Sequence, residues 1–248
     1  NVIYVNTHED REDVAKKFSK YDFLAMPVVD NDCRIVGIIT FDDVLDVIQE
    51  ENEEDFSKMA AMAPAEDAYF KTSVFKHARN RIGWLLILMF SATITGSLLT
   101  HYEEAFQAIP ILVSFIPMLM STGGNCGSQS STTVIRGLAT EEIKFRDFFR
   151  VVYKEFRISL IVSVILALAN GLRIYIFYNQ NFLLSLTVAL SIVGTVIISK
   201  FIGCVLPLLA KRVKLDPALM ATPLISTIVD TCSMLIYFSI ATVVFPQL

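Results

Sequence analysis

Five long apolar stretches fill most of the chain beyond residue 80. Residues 82–100, 105–122, 156–178, 182–210 and 218–245 carry at most two charges each. A helix needs about 20 mostly apolar residues to cross a bilayer core, so the pattern predicts five membrane-spanning helices. The second stretch, with Pro110 and Pro117, does not end cleanly. Charge-free sequence runs on to Val134 through Ser121-Thr122-Gly123-Gly124-Asn125-Cys126-Gly127-Ser128-Gln129-Ser130. Small and polar residues in such a run read as irregular backbone, which survives within a bilayer only inside protein or along a wet cavity. Its carbonyls, with Asn125, would then be oxygen donors. A small-residue packing face or a cytoplasmic loop are the plainer readings.

Residues 1–62 follow a different rhythm. Val2–Val5 reads as a strand, and Thr7 is placed to cap a helix that carries Val14 and Phe18 and ends near Lys20. Ala25–Val29 and Arg34–Ile39 flank the turn residues Asp30-Asn31-Asp32, a hairpin signature. Thr40 and Asp43 are spaced as a capping pair for a helix that begins with Val44, Val47 and Ile48 and continues through an acidic run to Met62. The chain opens inside a strand with no basic leader, and a preceding segment is expected.

Charge divides the chain in the same place. The net charge of −4 is the sum of −11 over residues 1–70 (17 Asp+Glu, 6 Lys+Arg) and +7 over residues 71–248 (8 and 15). Lys and Arg occur before the first stretch, between the second and third, and between the fourth and fifth; 101–105 and 178–181 have none. The positive-inside rule then puts the N-terminal module in the cytoplasm and Leu248 outside. The acidic run Glu50, Glu51, Glu53, Glu54 and Asp55, with Asp22, Asp42, Asp43 and Asp46 nearby in sequence, offers hard oxygen donors suited to Mg²⁺ or Ca²⁺. They read equally as a solvated, self-repelling linker.

Asp230 is the only charge between Pro217 and Leu248 and stands near the middle of the fifth stretch. A carboxylate there costs about 3 kcal/mol even on lenient insertion scales, and such residues usually face a protein interior or a water-filled path. Two readings follow: a cation-handling group, or one half of a buried pair with Lys200, the charge deep in the fourth stretch. The four cysteines and three histidines are scattered, so neither a disulfide framework nor a metal knuckle is expected. No nucleophile–histidine pair occurs at useful spacing, which argues against an enzyme. No nucleic-acid partner is expected.

Two sets of residues carry a resemblance. "MPVVDNDCRIVGIITFDDVLDVI" is similar to one CBS repeat, a module that normally occurs in pairs, and "TGGNCGSQSSTTVIRGLAT" with "LDPALMATPLISTIVDTCSMLIY" resembles the MgtE family of bacterial magnesium channels. The resemblance implies an α-helical membrane protein of five transmembrane helices per chain behind a partial cytosolic α/β CBS module. It divides the chain into a second CBS repeat (1–48), an acidic linker or plug helix (49–71) and a pore domain (72–248). It implies a homodimer in the bacterial inner membrane, surrounded by lipid, with the pore at the subunit interface. Asp230 would bind hydrated Mg²⁺, and Gly123, Gly124, Asn125, Thr222 and Ser226 would face the path. Asp22, Asp42, Asp43, Asp46, Glu51, Glu54 and Asp55 would bind regulatory Mg²⁺ and hold the linker so that the pore stays shut. CBS modules also bind adenine nucleotides such as ATP, with Asp43 beside the ribose; the plainer reading is that Thr40 and Asp43 only cap a helix. An ion-coupled divalent cation transporter and a CBS-regulated sensor that transports nothing are the rival functions.

Overall fold

The computed structural model describes residues 2–64, 69–102, 109–178, 181–220 and 222–245, without the side chain of residue 222. It divides into two compact units, one of residues 1–57 and 63–66, the other of 58–62 and 67–248.

In the first unit the strands β1 (Val5–Asn6), β2 (Ala25–Val29) and β3 (Ile35–Thr40) form one sheet in the order β1-β2-β3. β1 runs parallel to β2 with Val5 opposite Val28, and β3 returns antiparallel with Ile39 opposite Met26. Helix α1 (Arg11–Tyr21) buries Val14, Ala15 and Phe18 against Val5, Met26 and Val44. Its cap is Asp10, whose carboxylate accepts from Glu12 N at 2.9 Å. Thr7 does not cap it: its N–H is spent on Val29 O at 3.0 Å, which prolongs the β1 edge. At the hairpin, Asp30 Oδ1 accepts from the backbone N–H of Asp32 and of Arg34, both at 2.9 Å. Helix α2 (Phe41–Met59) starts where Thr40 donates its N–H and its hydroxyl to Asp43 Oδ2, at 3.1 and 2.7 Å. Asp43 thus reaches back to close the helix end, the carboxylate half of a capping box. α2 stops three residues before the expected Met62, at a turn in which Ala61 has φ 54°.

In the second unit α3 (Val74–His101), α5 (Phe148–Phe177), α6 (Phe182–Arg212) and α7 (Thr222–Val244, preceded by a 3-10 turn at Pro217–Met220) are long and apolar enough to cross a membrane. A fifth long helix, α4 (Ile116–Ala139), packs among them and is too polar to qualify on composition. Among the described residues, four helices are therefore apolar and long enough to cross, where the hydrophobic pattern predicted five. The stretch expected as the second span, 105–122, does not coincide with a helix: residues 109–115 include a 3-10 segment, 103–108 lie outside the described residues, and α4 runs from Ile116 straight through the Gly-Gly-Asn segment. The expected break is an unbroken helix, so its backbone carbonyls are held inside the helix.

The reason lies in packing. α6 is the most buried of the four apolar helices, and α4 lies against it so closely that a Cβ on Gly203 would run into the backbone carbonyl of Gly127. A Cβ on Gly123 would come within 2.7 Å of Val229 Cγ1 on α7 and 2.8 Å of Thr195 Cγ2 on α6. Glycine's cost of about 1 kcal/mol in a helix interior is offset by this close approach, the small-residue packing of membrane helices. Gly203→Ala pushes backbone against backbone, and a destabilisation of ~1–3 kcal/mol is expected. Thermal melting in detergent reads it, with Gly83→Ala, where nothing lies within 4 Å, expected to leave the midpoint unchanged or raised.

Candidate cation site in the helical unit

Asp230 sits midway along α7 and is half-buried; among the described residues its carboxylate makes no hydrogen bond or ion pair. Ser226 is one turn earlier, so the two lie on one face of α7. Ser226 also touches α4, where a Cβ on Gly124 would lie 3.3 Å from its Oγ. The site residues foreseen on α4 part company. Gly123 and Gly124 are buried at the helix contacts, whereas Asn125 is exposed. Thr222 opens α7, and its side chain lies outside the described residues.

Asn125 belongs to a stripe. Beyond the first turn of α4 and before Ala139, the exposed residues are Ser121, Asn125, Gln129, Thr132, Thr133 and Arg136, all polar. The uncovered face of α5 is the opposite in kind, with Phe156, Leu160, Ile161, Val164, Ile165, Leu168 and Leu172 exposed. A face like that of α5 suits lipid. A face like that of α4 does not, since polar groups set in hydrocarbon without partners are costly.

The alternative partner for Asp230 is taken. Lys200 on α6 is buried and donates from Nζ to Ser130 Oγ on α4 at 3.2 Å. That hydroxyl donates in turn to Glu155 Oε2 on α5 at 2.6 Å, and Nζ stands 3.7 Å from the same oxygen. Of the two readings of Asp230, the pair with Lys200 is not formed: Lys200 belongs instead to a Lys200–Ser130–Glu155 link across three helices. Glu155 was not foreseen because it sits among Lys144, Arg146, Arg150, Lys154 and Arg157 and reads as part of a basic loop. The structure starts α5 at Phe148, well before the apolar run at 156, so Glu155 lies two turns inside a helix. Asp216 caps the 3-10 turn, accepting from Ala218 N at 2.8 Å, and also receives Lys58 Nζ at 2.6 Å.

The regulatory carboxylates foreseen in the first unit are spread out. Asp22 is the left-handed residue that ends α1, Asp42, Asp43 and Asp46 occupy the first turns of α2, and Glu51, Glu54 and Asp55 follow along it. Among the described residues no three His, Cys, Asp or Glu side chains converge as a metal site. Burial, then the charge of Glu54, then those of Glu12 and Asp10, push the Glu51 carboxyl above its usual range, against the pull of Arg11. The hydrogen bonds from Thr40 hold that of Asp43 below it.

Residues 116–240 match the MgtE family, described as a divalent cation transporter, and residues 1–50 match the CBS domain. The chain belongs to the MgtE family. It is 38% identical over 97% of its length to the magnesium transporter MgtE of Bacillus subtilis and to that of Thermus thermophilus. It is 33% identical over the same share to that of Enterococcus faecalis. These alignments take in 53%, 53% and 52% of the relatives, so the chain spans about half the length of the curated MgtE proteins it matches. Membership and the four apolar helices make the chain a multi-pass membrane protein.

Proposed function

We propose that this chain forms the conducting part of a magnesium channel, working as a homodimer with the ion path between the two copies. The observation that carries the reading is the polar stripe of α4 from Ser121 to Arg136, beside the carboxylate of Asp230 on α7, which has no partner among the described residues. Such a face belongs against water, and α4 is then the fifth crossing. Mg²⁺ sheds water reluctantly and is usually held by one or two carboxylates through its hydration shell. A twofold path supplies Asp230 twice from one gene. Asn125 and Ser226 add polar groups for the hydration shell, with Thr222 one turn of α7 further on and Gly123 and Gly124 letting the helices close up behind. Binding that is incomplete lets the ion leave.

The loop charges support a cytoplasmic N-terminal module and an extracytoplasmic C-terminus, and the bacterial source of the relatives supports a bacterial inner membrane. In this reading Asp22, Asp42, Asp43, Asp46, Glu51, Glu54 and Asp55 sense cytosolic Mg²⁺ together with groups from outside the described residues. Burial first, and then repulsion from Glu54, Glu12 and Asp10, raises the Glu51 carboxyl, and the repulsion is the part that a divalent cation would offset. A cavity of about 290 Å³ bordered by Val5, Thr7, Val28, Asp43 and Val47 suits the nucleoside part of ATP, small-molecule sites starting near ~300 Å³. Asp43 Oδ1, which takes no hydrogen bond from Thr40, is free in this scheme for a ribose hydroxyl.

The test is Mg²⁺ entry into liposomes carrying the purified chain, read with an enclosed fluorescent indicator. Entry driven by the Mg²⁺ gradient alone is expected. Entry only under an imposed proton or sodium gradient would replace the channel by a coupled transporter. No entry, either with this chain or with the preceding region restored, would leave a sensor.

A further inference from the structure

We infer that the groove between the second half of α4 and the start of α5 is a binding site for the headgroup of an anionic phospholipid. The groove has a volume of about 940 Å³, at the upper end of the ~300–1,000 Å³ typical of small-molecule sites. Four cations border it, Arg136, Arg150, Lys154 and Arg157, and three acids, Glu142, Asp147 and Glu155.

Two of the acids face cations, and the third accepts a backbone N–H in its own turn. Glu142 stands 4.0 Å from Arg136. Asp147 Oδ2 accepts from Lys144 N at 3.0 Å. Glu155 is buried with Ser130 and Lys200. Arg150, Lys154 and Arg157 remain, and among the described residues none of them has a carboxylate within ion-pair distance. At i, i+4 and i+7 they fall on one face of α5.

The other wall says what kind of anion fits. Val151, Ile158 and Ile161 border the same groove, and above them the exposed face of α5 continues apolar through Val164, Ile165 and Leu168. A ligand following this path has a negative head at the water end of the helix and a hydrocarbon body along it. Arginine matches phosphate with paired N–H donors, and basic pockets between membrane helices take anionic headgroups. A free phosphate would use the cations and leave the apolar wall without a role. The reading is independent of the ion path, because the groove contains neither Asp230 nor Asn125.

The full chain in detergent, given equal amounts of phosphatidylglycerol and phosphatidylcholine with matched acyl chains, is measured by native mass spectrometry. Retention of phosphatidylglycerol is expected to exceed that of phosphatidylcholine by tenfold or more. Each neutralised cation is expected to reduce it ~fivefold, so Arg150→Gln, Lys154→Gln and Arg157→Gln together remove the preference. Arg150→Lys with Arg157→Lys keeps most of it. If the triple variant does not fold, the single variants Lys154→Gln and Arg157→Gln are read for the fivefold step. Inorganic phosphate at 10 mM, in large excess over lipid, is expected to leave the lipid in place; displacement would make this a free-phosphate site and overturn the assignment. Equal retention of the two lipids, or an unchanged preference in the triple variant, would overturn it as well. So would a groove that binds neither lipid and whose Lys154 is shielded from amine reagents only when two copies associate.

Discussion

Asp230→Ala is expected to lower Mg²⁺ entry into liposomes by tenfold or more while leaving the chain at least as stable as its parent. The two effects have separate causes. A divalent ion held about 5 Å from a carboxylate, with one water between, gains about 2 kcal/mol at the dielectric of water and about 7 at an effective value of 20. Losing even the smaller figure is more than tenfold in occupancy, since 1.4 kcal/mol is tenfold. The carboxylate itself costs about 3 kcal/mol near a bilayer centre, and because no partner is left stranded, its removal returns some of that. Flux and thermal melting on the same preparation read both. Asp230→Asn keeps the shape and loses the charge, and a similar fall in flux identifies charge as the cause. Undiminished Mg²⁺ entry in a stable Asp230→Ala protein would put the path elsewhere.

Glu155→Ala is expected to destabilise the fold by ~3–5 kcal/mol, the usual result of leaving a buried charge without its partner. Here the stranded group is the Lys200 ammonium, buried with its side chain 6% exposed. Glu155→Gln also strands the ammonium, and joining Lys200→Met to it should recover most of that loss, since well-packed neutral groups often replace a buried pair at no cost. Lys200→Met should not rescue Asp230→Ala, because Lys200 is linked to Glu155 and Ser130 rather than to Asp230. Denaturation of the single and paired variants measures both couplings. A rescue of Asp230→Ala by Lys200→Met, beyond simple additivity, would contradict the link described here.

These expectations show how unevenly the sequence spoke. The helices α3, α5, α6 and α7 are legible because each is a long apolar run, and the β2–β3 hairpin because Asp30-Asn31-Asp32 separates two strand-like runs. α4 was misplaced for a physical reason. Its glycines and serines look like helix breakers when judged by local propensity, yet tertiary contacts override propensity, and Gly123, Gly127 and Gly203 are the contacts themselves. Asp230 and Lys200 stood out as lone charges in apolar surroundings. Which of them had a partner did not, because Glu155 was hidden among basic residues and Ser130 was one serine among several. The cap at Asp10 was missed because Thr7 was already committed to the sheet, a long-range fact that no local window contains.

The composition of α4 also bears on how the protein is made. A helix with Asn125, Gln129, Arg136 and a run of serines and threonines has little tendency to leave an insertion machinery for lipid unaided. Its entry into the bilayer would wait for α6 and α7, which come later in the chain and supply the surfaces on which Gly123 and Gly127 rest. Damage to that seam would then appear during biogenesis, as chains with the α4 segment left outside the membrane and open to proteolysis, before any loss of function in the finished molecule could be measured.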